Sequence, residues 1–280
     1  MSKKGKKKEE SSPEPGDDWE DWQSVVARRD LLISAWRARD ELYKNLFGEP
    51  TSVTPSNYRP PPAIPSGKAK TRSPNELATD TADPGLEDQR LAIIAYGPDP
   101  VRPYWTYITA GISSPWLQGQ PEEVSGFGCE LMIKSPIEAQ WPAQILRSMA
   151  FYLFNHAGTL SPGARIALNA PIAVNSESKL RNLVIWYADE APDCWYQLPS
   201  GGFGVFTAIG ITDDELKFAE SIDEYGTWCI QQVLRQVGTG QVTNPDRESA
   251  MQNENIASIT NSVTTFARQF KASSSSFEIS

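Results

Sequence analysis

The sequence predicts an α+β fold: a mixed sheet of about six strands with flanking helices, preceded by an N-terminal amphipathic helix. Three observations carry that expectation. Between Leu91 and Val237, short runs rich in β-branched and aromatic residues alternate with runs whose apolar residues recur every three or four positions. One stretch, residues 121–168, reads by itself as strand, connection, core helix and turn. The 280 residues are 39% hydrophobic and include nine Trp, enough for a substantial core.

Residues 1–18 carry five lysines and then five acidic residues that cancel them. The composition is that of a disordered charged tail. Residues 19–48 form the amphipathic helix. Trp19, Trp22, Val25, Val26, Leu32, Trp36, Leu42 and Leu46 recur near helical spacing, Asp17 or Asp18 suits the N-cap, and Gly48 suits the stop. Arg28, Arg29, Arg37 and Arg39 fall between them on a solvated face. Such a helix packs on its own domain, with docking on a partner as the alternative. Residues 49–89, rich in Pro, Ser, Thr and Asp, read as a linker or extended loop, in which Tyr58-Arg59-Pro60-Pro61-Pro62 suits polyproline II.

The main domain is expected over residues 90–238. Leu91 to Tyr96 and Tyr104 to Thr109 read as strands. Ser125-Gly126-Phe127-Gly128 reads as a glycine-bounded turn, and Cys129 to Ile133 as the strand after it. Trp141-Pro142 opens a helix to about His156, with Ile145, Leu146, Met149, Tyr152 and Leu153 on one buried face. Gly158, Pro162 and Gly163 close that unit. Arg165 to Leu168 is a short strand or turn. The second half of Leu180 to Tyr187, Trp195 to Leu198, and Phe203 to Ile211 supply further strands. Thr212-Asp213-Asp214-Glu215 is a capping box, and Ser221-Ile222-Asp223-Glu224 reads as a second, opening a helix that Gly238 stops. Residues 239–280 read as a polar mobile tail, although Ile256, Ile259, Val263 and Phe266 keep weak helical spacing.

A net charge of −9 disfavours nucleic acid, whose phosphates demand a basic face. No apolar run reaches the length of a membrane span, and no apolar signal segment opens the chain. Cys129, Cys194 and Cys229 form no CxxC pair and no zinc pattern. These features point to a soluble protein of a reducing, cytoplasmic compartment without a metal or other cofactor. No Walker A, dinucleotide-binding or nucleophile-elbow pattern is present. His156 is the single histidine. Together with a carboxylate from Glu122, Glu123 or Glu130 it leaves a small hydrolase as the alternative to a binding domain. Strand alternation predicts Glu130 to project as an ordinary exposed charge.

Five blocks then carry a resemblance: Tyr104 to Ser113, Glu123 to Leu131, Trp141-Pro142-Ala143 with Tyr152-Leu153-Phe154, Ser161-Pro162-Gly163, and Gly204 to Leu216. In order and spacing they resemble the suppressor of fused family, over roughly residues 90–237. The resemblance implies a mixed α/β domain that binds a polypeptide without catalysis. In the family's animal proteins, zinc-finger transcription factors of the Gli type add an extended peptide by strand pairing between two domains. The bacterial relatives resemble immunity proteins that neutralise toxins. The resemblance places a partner-binding site at Tyr152, Phe154, Ser161, Gly163, Ala164 and Arg165. Tyr152 matches a tyrosine beside the family's cleft, whereas Ala164 stands where the animal proteins have an Asp. Losing that carboxylate removes a charge-assisted contact for a basic peptide. The expected partner is therefore a protein whose identity the sequence leaves open. The oligomeric state is open too, a scaffold dimerised by its N-terminal helix being a further alternative.

Overall fold

Alternation along the strands sorts the core into two sides. In the computed structural model, which describes residues 17–54, 90–156, 159–174 and 176–275, the strands are β1 (Ser52–Thr54), β2 (Ala92–Tyr96), β3 (Trp105–Ala110), β4 (Val124–Ser135), β5 (Arg165–Ala167), β6 (Asn182–Tyr187), β7 (Tyr196–Leu198) and β8 (Gly201–Ile211). The helices are α1 (Asp17–Phe47), α2 (Trp141–His156), α3 (Asp213–Glu220), α4 (Gly226–Gln236) and α5 (Ile256–Ser275). Ile93 and Ala95 of β2, Leu131 and Ile133 of β4, Leu183 and Ile185 of β6, and Phe206 and Ala208 of β8 pack with Leu146, Met149 and Leu153 of α2. Their neighbours of opposite parity point the other way. There α1 covers Ala92, Ile94, Ile108, Met132 and Val205. On the same side α3, α4 and α5 cover Val184, Ile209 and Ile211.

The sheet runs β1-β2-β3-β4-β8-β6-β5, with β7 also paired to β8. Among the strand pairs of the described residues only β4 and β8 are parallel. All other pairs are antiparallel. β8 is buried along its whole length, as the centre of a sheet covered on both faces requires. Among the described residues eight strands form where about six were expected: β1 lies inside the stretch read as linker, and β5, read as a strand or turn, is a strand. The rest of that linker (residues 55–89) and the charged tail up to residue 16 lie outside the described residues.

Glu130 does not project to solvent. It is fully buried. Its carboxylate accepts from Thr109 Oγ1 at 2.5 Å, from the Gly111 and Ser113 amides at 2.9 and 3.0 Å, and from Ser113 Oγ at 2.7 Å. A strand position predicts a direction but not what lies above it; here α1 does. Tyr43 of α1 donates to Thr109 O at 2.9 Å, and its phenol is pushed well up, first by burial and then by the charge of Glu130. Trp36 Nε1 donates to Ser114 Oγ at 2.7 Å. Arg39, expected on the solvated face, is buried with its guanidinium 3.4 Å from the same oxygen.

The glycine-rich stretch 125–128 is not a turn before the strand but an irregularity within β4, whose register with β8 shifts between Val124 and Cys129. Gly126 has φ +56°, and a Cβ there would lie 2.6 Å from the carbonyl oxygens of Ile112 and Ser114. The bulge lets the chain rest on the loop that Glu130 holds. Ser125 Oγ reaches Ser113 O at 2.6 Å, and Gln118 spans to Val124 O and Ser200 O at 3.2 and 3.1 Å.

The C-terminal part departs most from expectation. Residues 239–275 are folded onto the domain rather than forming a mobile tail. Thr243 N donates to Lys134 O at 2.9 Å, and Thr243 Oγ1 accepts from Gly210 N at 3.0 Å. Arg247 pairs with buried Glu215 at 2.6 Å, and Glu215 also accepts from the amides of Thr212 and Ala250 at 2.9 and 2.7 Å. Thus the glutamate of the predicted capping box caps α3 and holds the returning chain as well. α5 then lays Val263 and Ala267 into the third core. The second box does not start a helix at Ser221: that residue closes α3, and Asp223 at φ +47° breaks the path, so α4 begins at Gly226.

Two outcomes test this framework by denaturant unfolding. Glu130→Gln keeps the shape but turns an NH2 toward N–H and O–H donors, and is expected to cost about 2–4 kcal/mol. Lys134 and Glu190 form a second buried pair at 2.5 Å, and burial, opposed by Glu190, holds the lysine below its ordinary pKa. Lys134→Met strands Glu190 and is expected to cost about 3–5 kcal/mol. Adding Glu190→Gln should recover most of that loss, and an additive double variant would refute the coupling.

Candidate binding site

Four of the six residues singled out for binding, Ser161, Gly163, Ala164 and Arg165, fall at the β5 edge of the sheet. Ser161-Pro162-Gly163-Ala164 makes a turn closed by Ala164 N to Ser161 O at 3.2 Å. Proline second and glycine third, with Gly163 at φ +101°, are the requirements of a type II turn. The turn delivers the chain into β5, which pairs with β6 on one side only among the described residues. The backbone bonds to β6 use alternate residues. Ile185 N donates to Ala164 O at 2.9 Å and Leu168 N to Arg181 O at 2.9 Å, with Ile166 opposite Leu183 between them. The N–H and C=O groups of Arg165 and Ala167 therefore point away from the sheet, along its outer edge.

Side chains anchor this edge on both faces. Ala164, Ile166 and Leu168 pack against the core beneath α2. Arg165 points to the opposite side, its Nε 3.2 Å from Thr227 Oγ1 and its Nη2 2.5 Å from Asp223 O. Thr227, in the first turn of α4, donates to Gly163 O at 2.7 Å, so the free edge begins beyond Gly163. Arg165 forms no ion pair with a carboxylate among the described residues. Ala167 is exposed.

The other two predicted residues lie on α2 and separate there. Phe154 turns inward, edge-on to Phe127 at 5.5 Å, with Arg90 over its ring at 5.7 Å. Tyr152, expected on the buried face, is 59% exposed, and Phe151 beside it 46%. The buried face is set instead by Leu146, Met149, Ala150 and Leu153. Ser161, Gly163, Ala164 and Arg165 thus come together as turn and strand edge, Tyr152 contributes an exposed ring, and Phe154 belongs to the packing. Sequence reading missed Ala167, whose outward groups follow from period-two alternation once β5 is assigned. It also missed Thr227 and Asp223, for which the sequence carries no signal.

The three carboxylates named for a hydrolase have different surroundings. Glu122 and Glu123 are exposed, while Glu130 is buried with its oxygens taken by four donors. His156 is the last residue of α2, and its ring lies outside the described residues. A separate polar cleft of about 530 Å³ is lined by Lys179, Arg181, Asp213, Asp214, Lys217 and Ser249, among others. Asp214 there is held below its usual value: burial alone would raise it, but the Thr212 and Ser249 hydroxyls outweigh that. Among the described residues no three His, Cys, Asp or Glu side chains gather to hold a metal, and no helix is long and apolar enough to cross a membrane.

Comparison with known proteins agrees with this architecture. The pattern of the suppressor of fused protein family matches residues 87–248. Suppressor of fused homolog from Homo sapiens is 26% identical over 181 residues, which cover 53% of this chain and 36% of the human protein. The Mus musculus homolog is 27% identical over 183 residues, with the same coverage. The chain therefore aligns with little more than a third of the length of these relatives. The crystal structure of Drosophila Suppressor of Fused superposes with a TM-score of 0.53 at 21% identity, over 64% of this chain and 46% of that one, and shows the same fold. With the family pattern spanning more than half of its length, this chain belongs to the suppressor of fused family.

Proposed function

We propose that this chain is a non-catalytic interaction domain that sequesters a partner polypeptide, taken up as an added strand along the outer edge of β5. The observation that carries the reading is the direction of the Arg165 and Ala167 backbone groups, which no neighbouring strand among the described residues engages. An extended segment pairing there gains main-chain hydrogen bonds, and its alternate side chains meet the two sides of the edge. On one side lie Ala164, Ile166 and Leu168; on the other lie Arg165 and the start of α4. Membership of the suppressor of fused family supports a polypeptide as the ligand. The bacterial resemblance supports a toxin as that polypeptide, with this chain as its immunity protein. Three free cysteines, Cys194 of them exposed, suit a reducing cytoplasm.

Two substitutions separate strand addition from other modes. Ala167→Pro removes one outward N–H and obstructs a neighbouring strand, yet leaves the even-numbered pairing to β6 in place. It should change stability by under about 1 kcal/mol while abolishing stoichiometric capture of the partner by the tagged full-length chain. Arg165→Ala should weaken capture with the fold intact. If capture proceeds undiminished through Ala167→Pro, measured by size-exclusion of the complex, the β5 edge is not the site.

Gly163→Ala tests the turn that aims the edge. A Cβ meets no atom within 4 Å there, so only the positive φ opposes it. The expected cost is about 1 kcal/mol or somewhat more, read as a lowered unfolding midpoint, with partner affinity falling alongside.

A further inference from the structure

We propose that Trp195 is the floor of a second contact, which takes a basic segment of a partner polypeptide by stacking an arginine or lysine side chain on the indole. Trp195 is 49% exposed, and no ring or cation packs on it among the described residues. Two glycines seat it. A Cβ on Gly202 of β8 would lie 1.8 Å from the indole Nε1 and 2.4 Å from Cε2, and one on Gly128 of β4 would lie 3.6 Å from Cη2. The ring therefore rests across two adjoining strands. Gly202 has no positive φ, so close approach of the indole, not the path of the chain, accounts for a glycine there. Val124, itself exposed, adjoins the same ring: its Cγ1 would lie 2.7 Å from a Cβ on Gly128. Leu117, 91% exposed, precedes Gln118, which bonds Val124 O. A tryptophan seated on its own strands in this way turns a π face to solvent, and such a face attracts cations.

Charge specifies the occupant. From Pro103 to Ile133 and from Asn182 to Leu216 the chain has no Lys, Arg or His. These two segments supply the floor and its rim. Glu122 and Glu123 are exposed and tied to the start of β8: Glu122 N donates to Ser200 O at 3.0 Å, and Gly202 N donates to Glu123 O at 2.9 Å. Asp193, also exposed, stands two residues before Trp195. None of these three carboxylates forms an ion pair among the described residues. Arg28 of α1 meets the rim loop at Gly119, where a Cβ would lie 3.7 Å from its Nε. A surface with carboxylates of one sign around an aromatic face draws a cation. It repels the phosphates of a nucleic acid. It also repels a second copy, which would bring the same acids to the same place. Gly202 and Ile209 are seven residues apart on β8, and Ile209 pairs with Val184, the partner of Arg165. At about 3.3 Å per residue that is about 23 Å. The contact is therefore separate from the β5 edge and does not rest on it.

Fluorescence anisotropy of a labelled peptide of alternating arginine and alanine, titrated with the full chain, tests this. The same peptide with glutamate in place of arginine is the control. The arginine peptide should bind and the glutamate peptide should not. Trp195→Ala keeps every carboxylate and should weaken binding by about fivefold or more. Glu122→Gln with Glu123→Gln should weaken it as well and flatten its dependence on salt. Glu138→Gln with Glu254→Gln removes as much charge from two exposed positions elsewhere and should change binding by less than about twofold. A circular dichroism melt verifies folding. Should Trp195→Ala fail to fold, the comparison of the two glutamate pairs decides. An arginine peptide that does not bind, or binding that persists undiminished in folded Trp195→Ala, would overturn the proposal. So would a remote pair as damaging as the local one, since attraction to the net charge of −9 would then account for the binding. Partner capture through Ala167→Pro is measured separately, so either reading can fail without the other.

Discussion

A carboxylate with no exposure to water sits at the crossing of nearly everything this chain must hold in place. Moving a charge out of water is costly unless hydrogen bonds replace its hydration. Glu130 obtains them from the end of β3 and the loop after it. That loop is then fixed, and its fixed carbonyls and hydroxyls become acceptors for α1 from above and for the glycine bulge of β4 from below. The long N-terminal helix, the central parallel pair and the polar loop before it therefore share one anchor. Packing alone would leave the loop free to slide; the geometry of a buried carboxylate does not.

A second buried glutamate does comparable service at the other end of the sheet. Glu215 caps α3 and receives Arg247 and the Ala250 amide, which fastens the chain as it returns to build α5. The two acids divide the labour on one face of the sheet: the first seats α1, the second seats the C-terminal helices. Between them runs the Lys134–Glu190 pair, to which Gln241 adds a 2.7 Å contact from the returning segment.

Local patterns exposed the parts of this fold that depend on local rules. β2, β3, β6 and β8 were legible because β-branched and aromatic residues cluster there, and the capping glutamate of α3 because its spacing has one cheap explanation. The failures share a cause. Glu130, Arg39 and the 239–275 segment look polar and therefore solvated, and only a partner distant in sequence reveals otherwise. For Glu130 that partner is the 109–113 segment; for Arg247, in a loop, it is Glu215 of α3. Tyr152 failed in the opposite sense, its spacing fitting a buried face that neighbouring aliphatic residues already filled. At the candidate site, the Ser161-Pro162-Gly163 turn was visible because its chemistry is conformational, whereas Thr227 was invisible because its role depends on where α4 begins.

The alternation at β5 has a consequence for how such a domain can change over generations. Its even-numbered residues are committed to the sheet and the core, while its odd-numbered ones contribute nothing to pairing with β6. The same three-residue strand thus carries two separable inheritances. Substitution at even positions is policed by pairing and packing; at odd positions Arg165 still answers to its bonds with Thr227 and Asp223, whereas Ala167 is exposed and outside the pairing. Under the strand-addition proposal, a lineage could therefore exchange one ligand for another through Ala167 without first acquiring spare stability, and relatives with the same fold would diverge most in the polypeptides they hold.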